Sequence, residues 1–402
     1  MRVTTPLLHA LGIDAIARQQ EALLRTQQQI ASGRRILVPS DDPIAAAQAM
    51  AVLDAKARTT QYQANIGAAG DALGYAEGVL AQVTEVLQAA RTLAVNGGAA
   101  TLSDADRRSL AGELRSQLDH LVGLANSRDG NGAYLFAGFA TATQPFARGA
   151  GGVAYFGDQG ERMLEVSPGR NLAVSTSGDA VFMSIRTGNG TFTAVPAPTN
   201  AGAGTIDAGR VVDPAALTGH SYRLQFSVVG GVTTFDVVDV TSATIVSAGN
   251  AYAPGTAIDV DGMQVTVGGA PANGDSFTLA PSSAQSVFTT FDQLIAALEA
   301  PAGSPAARAA LANGLTGALA NLDQALERLL TVRAGFGAGL RELDALGAGN
   351  DATQLRHDQT LSRLQDLDYN AALSDFARQQ LALEAAQKSF VQVTGLSLFD
   401  YL

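Results

Sequence analysis

Both ends of this chain carry the same seven-residue hydrophobic rhythm, so the fold must bring its two extremities to a similar kind of partner. From Ala352 to Leu402 there is no Pro, and the first Gly is Gly395. Tyr369, Phe376, Leu383 and Phe390 recur every seven residues, and Ala372, Gln379, Ala386 and Val393 follow each by three. That is the a/d pattern of a coiled-coil seam. Near the start, Ile13, Ile16, Gln20, Leu23, Gln27 and Ile30 are spaced three, four, three, four and three, a matching stripe. Chain ends fray unless something holds them, and a lone two-helix hairpin is marginal once the cost of ordering its backbone is counted. Either the paired termini pack against other subunits, or they complete one bundle core within the chain. The pattern leaves both open.

The helical signals continue inward. Gly33 stands where a helix C-terminal glycine is expected, and Ser40-Asp41-Asp42-Pro43 opens a second helix with Asp42 as its N-cap and Pro43 at the first helical position. Capping gives both aspartates a structural role without invoking a catalytic pair. The helical pattern runs from Ile44 to about residue 95, where Gly67, Gly70, Gly74 and Gly78 either admit another helix closely or mark a break. Ser103 caps a further helix carrying Leu110, Leu114, Leu118, Leu121 and Leu124. After residue 286 helices return, and Gly347-Ala348-Gly349-Asn350-Asp351 separates the last two or bends one continuous helix.

Between these helical parts the period changes. Short strands are expected around Val153–Phe156, Met163–Val166 and Leu172–Val174. From about 186 to 285 the composition shifts: between Thr187 and Val287, Arg210 and Arg223 are the only Lys or Arg residues, there is no Glu, and Thr, Val, Gly and Asp dominate. Tyr222, Leu224, Phe226 and Val228 alternate before Gly230-Gly231, and Asp261-Gly262 separates two further strand patterns. Both dipeptides are hairpin turns. The reading is α+β: terminal helices paired as a coiled coil over 1–38 and 352–402, a helical and β core over 39–185 and 286–351, and an inserted antiparallel β domain over 186–285.

Composition narrows the function. A net charge of −11 with only two lysines, Lys56 and Lys388, disfavours nucleic acid, which needs clustered basic residues. With no Cys, disulfides and thiolate chemistry are excluded. No window has the length and hydrophobicity of a membrane span, and no cleaved signal peptide is expected. His9, His120, His220 and His357 are scattered outside any metal-binding or catalytic motif. Asp259 and Asp261 lack the downstream acids of a calcium loop. No catalytic, cofactor or metal residue is assigned, and an enzyme is not expected. The second reading is an adhesin that stacks sugars on Tyr222, Phe226 and Tyr252 of the β domain.

Several stretches together resemble the flagellar hook-filament junction family, the hook-associated proteins of type 3. They are Gln29 to Ile36 with Pro39-Ser40-Asp41-Asp42-Pro43, then Gly132-Ala133-Tyr134-Leu135-Phe136-Ala137-Gly138, Gln144-Pro145-Phe146, and Leu381 to Phe390 continuing through Gly395 to Leu402. Gly268 to Phe277 is similar to segments of hook-associated proteins generally. The resemblance implies an elongated flagellin-like subunit with paired terminal helices in the inner core of a polymer. It implies a mixed shell domain, an outer β domain and self-assembly as a ring. The implied partners are the type-1 hook-associated protein, flagellin, and an export chaperone on the C-terminal helix. It also implies an extracellular site on the flagellum, reached by export without a cleaved signal. A flagellin-type filament subunit is the alternative within the same class.

Overall fold

A computed structural model describes residues 5–395, with side chains described between 7 and 392 apart from residue 8. The chain divides into two compact units, Met1–Ala64 with Ala345–Leu402, and Asn65–Asp344. The helices are α1 (Thr5–Ser32), α2 (Pro43–Gly97), α3 (Asp104–Ala125), α4 (Val287–Glu299), α5 (Pro305–Gln365) and α6 (Tyr369–Gly395). Two departures from the sequence expectation concern glycine. Gly67, Gly70, Gly74 and Gly78 neither break α2 nor admit a close neighbour, since a Cβ at any of them would meet nothing within 4 Å. In α5 the helix runs straight through residues 347–351 to Gln365. A helical glycine costs about 0.5–1 kcal/mol relative to alanine, which a long cooperative helix tolerates.

In the larger unit, α2 buries Leu73, Leu80, Val83 and Leu87, and α5 buries Leu315, Leu322, Leu329 and Phe336, each at helical spacing. The two helices run antiparallel. Arg333 donates two hydrogen bonds to Glu77 at 2.9 and 2.6 Å, and Arg91 one to Asp323 at 2.8 Å. A reciprocal Ser103 and Asp106 capping box starts α3, satisfying two N–H groups that the first turn leaves open. Phe136, Phe146, Phe182 and Phe288 then meet at centroid separations of 5.3–6.0 Å, joining α4 to the neighbouring turns. Phe182 itself lies in a five-residue π turn over Asp179–Met183.

The strands are β1 (Phe146–Gly149), β2 (Gly152–Tyr155), β3 (Met163–Ser167), β4 (Arg170–Ala173), β5 (Ile185–Arg186), β6 (Phe192–Pro196), β7 (Thr205–Ile206), β8 (Arg210–Val211), β9 (Tyr222–Val229), β10 (Val232–Asp239), β11 (Thr244–Ala251), β12 (Ala257–Val260), β13 (Met263–Gly268), β14 (Ser276–Pro281) and β15 (Ala284–Gln285). One sheet has the order β11-β10-β9-β14-β6, and the second has β12-β13-β7 with β8 also on β13. The turn at Gly230-Gly231 has φ of 58° and 81°, and the one at Asp261-Gly262 has 41° and 80°. These two positive values in succession are what a tight two-residue hairpin requires. Val229 then pairs with Val232, and Val260 with Met263.

Both sheets contribute to a single core: Tyr222, Leu224, Phe226, Phe277 and Leu279 from one, Ile258, Val265 and Val267 from the other. The sandwich is tied to α5 by Asn313, which donates to Gly204 O at 3.1 Å and accepts from the Ile206 N–H at 2.8 Å. Asn321 accepts the Gly188 N–H at 2.8 Å.

Phe226 is fully buried, with Phe235, Tyr252 and Phe277 within 5.2–5.8 Å of its ring centre. Phe226→Ala is expected to destabilise the sandwich by about 3–5 kcal/mol, read from urea unfolding followed by tyrosine fluorescence. Asp239 gives a second expectation. Burial alone would push its carboxyl up, but hydrogen bonds from Ser242, His220 and the Thr241 N–H hold it well below the ordinary aspartate value. Its depressed value contributes stability that is present above the unfolded-state value of 3.8 and is lost progressively as the pH falls from there through the lower folded-state value. Asp239→Asn should flatten the acid side of the urea midpoint measured between about pH 2 and 5.

Candidate functional site

Among the described residues, α1 and α6 form an antiparallel pair. His9 meets the Phe390 ring edge-on at 5.8 Å, and Gln19 donates to the Gln379 carbonyl at 3.3 Å. At the far end, a Cβ on Gly33 would lie 3.0 Å from the Tyr369 hydroxyl. On α6 the partly or fully buried positions are Ala372, Phe376, Gln379, Leu383, Ala386 and Phe390, while Tyr369 is half exposed. The Val393 side chain and residues 396–402 lie outside the described residues.

On α1 the facing stripe is His9, Gly12, Ile16, Gln19, Leu23, Thr26, Ile30 and Gly33. Ile16, Leu23 and Ile30 belong to it, but Ile13, Gln20 and Gln27 are exposed. This corrects half of the expected stripe by one residue. The cause is Gly12: a Cβ there would sit 2.6 Å from Phe390 Cδ2, so the large ring of α6 uses the space that glycine leaves. A reading that favours large side chains passes over such a position. The repeat of 9, 12, 16, 19, 23, 26, 30 and 33 was nonetheless present in the sequence to be found.

The connectors fix where this pairing begins. Gly33 ends α1 with φ of 70°. Its carbonyl accepts the Leu367 N–H at 3.0 Å, and the Arg35 N–H donates to Gln365 O at 2.7 Å. Asp42 Oδ1 accepts the Ala45 N–H at 3.0 Å, the geometry of a helix N-cap, and Arg35 lies 3.3 Å from its other oxygen. The Ala45 N–H, with Arg35, holds the Asp42 carboxyl below its ordinary value against the effect of burial. Asp41 does something else. It accepts the N–H groups of Leu37 and Val38 at 2.9 and 3.1 Å and receives Arg25 at 2.6 Å, folding the connector back on α1. Asp368, not singled out in the sequence, accepts the Asn370 and Ala371 N–H groups and so starts α6.

The outward faces of the pair mix exposed charged residues, such as Asp14 with Arg18 and Asp375 with Arg378, with large apolar side chains. Leu7, Leu11, Ile13, Leu24, Tyr369, Leu373 and Leu381 are each between 49% and 68% exposed. An amphipathic helix normally turns such residues inward, and exposed apolar side chains grouped beside a polar rim are what an interaction site presents.

Three family features coincide with this geometry. Residues 12–141 match the bacterial flagellin N-terminal helical region, and residues 197–281 match the D2-like domain of flagellar hook-associated protein 1. Flagellar hook-associated protein 3 of Escherichia coli (strain K12) is 30% identical over 401 residues, covering 100% of this chain and 99% of that protein. The chain belongs to the flagellar hook-associated protein 3 family. The Salmonella typhimurium protein of the same name is 29% identical over 401 residues, again covering 100% of this chain and 99% of its own length. A crystal structure of hook-associated protein 3 from Legionella pneumophila aligns with a TM-score of 0.75 at 31% identity, covering 78% of this chain and 98% of that one. FlgL from Xanthomonas campestris aligns with 0.72 at 34% identity, covering 77% and 99%.

For this family member the sugar-stacking alternative loses its residues. Tyr222 and Phe226 are fully buried, and Tyr252 packs edge-on against Phe226. The calcium-like aspartates are engaged internally, Asp259 by Gln264 at 2.8 Å and Asp261 by the Tyr222 hydroxyl. No helix among the described residues is long and apolar enough to cross a membrane.

The two faces of α1 give separable expectations. Gly12→Leu should drive Phe390 off the seam and speed protease cleavage within 369–392 in dilute protein. Ile13→Ala should leave that cleavage rate unchanged.

Proposed function

We propose that the chain is a non-catalytic structural subunit of the bacterial flagellum, placed at the hook-filament junction, whose paired terminal helices join it to neighbouring copies. The observation that carries this reading is the set of large apolar side chains, Ile13, Leu24, Leu373 and Leu381 among them, that the α1–α6 pair leaves exposed among the described residues. Ile16, Leu23, Ile30, Phe376, Leu383 and Phe390 hold the two helices together, while Ile13, Leu24, Leu373 and Leu381 meet other subunits. Gln20 and Gln27 lie on the same outward side and set register there, since polar groups at a helical interface penalise slipped alignments.

The type-1 hook-associated protein and flagellin are the expected neighbours along the polymer axis, and an export chaperone would shield α6 before assembly. The sandwich over 186–285 is an inserted module with its own core.

A strain lacking this chain should build hooks without filaments, release flagellin into the medium and fail to swim. Complementation by a variant carrying Ile13→Ser, Leu24→Ser and Leu381→Ser should restore release of the chain but not filaments. Filaments of normal length in the deletion strain would overturn the reading.

A further inference from the structure

Glycine in this chain mostly has a visible reason. Gly12 makes room for Phe390, Gly97 for Leu298 and Gly339 for Leu73, each with a hypothetical Cβ at 3.2 Å or less from the neighbour. Eight glycines of the two long helices have none; Gly317 and Gly349 stand apart, and the other six lie close together. At Gly67, Gly70, Gly74 and Gly78 of α2 and at Gly335 and Gly337 of α5, a Cβ would meet nothing within 4 Å, and none of the six has positive φ. Alanine fits all six without strain and is the better helix former.

Their placement is shared between the helices. Gly339 lies against Leu73 and Arg333 bonds to Glu77, so the glycines of α2 and those of α5 occupy the same level of an antiparallel pair. Toward the end of α2 and the start of α5 the glycines stop, with none between Gly78 and Gly97 or between Gly317 and Gly335; in the other direction α2 has none before Gly67, and α5 has Gly347 and Gly349. A glycine-free helix tied to its neighbour by ion pairs would hold that neighbour straight. Softening one helix alone would therefore achieve nothing, and here both are softened together. Glycine supplies this softness because it leaves the backbone the widest conformational freedom and its peptide groups open to water.

We propose that these six glycines form a flexural zone in which α2 and α5 bend together, letting one subunit sequence adopt the curvature its position in the polymer imposes. This rests on the structural role proposed above, and the test separates the two.

The first measurement is amide hydrogen exchange on the purified full-length chain. Amides over 67–78 and 335–339 should exchange on the order of five- to ten-fold faster than buried-face amides over 80–94 and 319–331. A variant with all six glycines changed to alanine should abolish the difference and raise Tm. Equal exchange in the two regions of the wild-type chain would overturn the proposal.

The second measurement expresses the six-alanine variant in the deletion strain. The variant is expected to reach the medium at the wild-type level yet leave filaments few and swimming lost. Full rescue by this stiffer chain would also overturn the proposal. Should the variant be retained in the cell, Gly335→Ala with Gly337→Ala and the four α2 changes are introduced separately. Each half is expected to impair filaments, because one stiff helix holds the pair straight, and full rescue by a delivered half-variant overturns the inference. A deletion strain that swims refutes the structural role instead, and exchange alone then judges the zone.

Discussion

The organisation of the smaller unit depends on a short backbone contact between segments more than 300 residues apart. The Gly33 carbonyl takes the Leu367 N–H, the Arg35 N–H reaches Gln365 O, and the Arg35 guanidinium reaches Leu364 O at 2.9 Å. These bonds set the point from which α1 and α6 run back along each other. Asp41 and Asp42 serve the same end, the first closing the connector onto Arg25 and the second starting α2. One Asp-Asp-Pro sequence thus orients two helices, which is why both carboxylates are present and why neither is free for chemistry.

A related problem arises along α2 and α5, whose facing stripes are repetitive Ala and Leu. Such surfaces pack almost equally well after a slip of one heptad, so hydrophobic burial supplies stability without a unique register. The charged pairs supply the register. Glu77 with Arg333 and Arg91 with Asp323 lie within the larger unit, and Lys56 with Asp358 within the smaller. Exposed pairs of this kind add little free energy, but a slipped alignment would leave each of them unmatched. Their value is therefore in discriminating between alignments. The sandwich solves the same difficulty with buried amides, since Asn313 bonds both ways to the Gly204–Ile206 backbone and only one docking position satisfies it.

What could be read from the sequence follows from how local each determinant is. The hairpins at Gly230-Gly231 and Asp261-Gly262 were legible because the turn dipeptide and the alternation beside it lie within a few residues. The partnership of β6 with β14 was not, because it joins residues 192–196 to 276–281 and nothing in either segment names the other. The C-terminal seam was legible at Phe376, Leu383 and Phe390, where large side chains mark the period. The α1 seam was half legible, because its true positions include Gly12, Gln19 and Thr26, which contribute shape rather than hydrophobicity. The extent of α5 was obscured by glycines whose local preference against helix is outweighed by the residues around them. The separate tasks of Asp41 and Asp42 were hidden for a different reason: both fit a cap, and only the position of Leu37 and Val38 distinguishes them.

The α1–α6 pair also explains why its own burial is incomplete. Two helices side by side bury one stripe each, and here that stripe interleaves Ile16, Leu23, Ile30, Phe376, Leu383 and Phe390 with Gly12, Gln19, Thr26, Gln379 and Ala386, leaving Leu24 and Leu381 outside. The Gln379 side-chain oxygen is buried without a partner, which an isolated hairpin tolerates only at some expense in stability. A pair optimised to stand alone would place apolar side chains at Gln19, Thr26 and Gln379 too, and polar ones at Leu24 and Leu381. Interleaving small and polar side chains in the seam while leaving leucines outside weakens the hairpin and favours whatever covers those leucines. That balance suits a helix pair whose exposed leucines are to be covered by a partner.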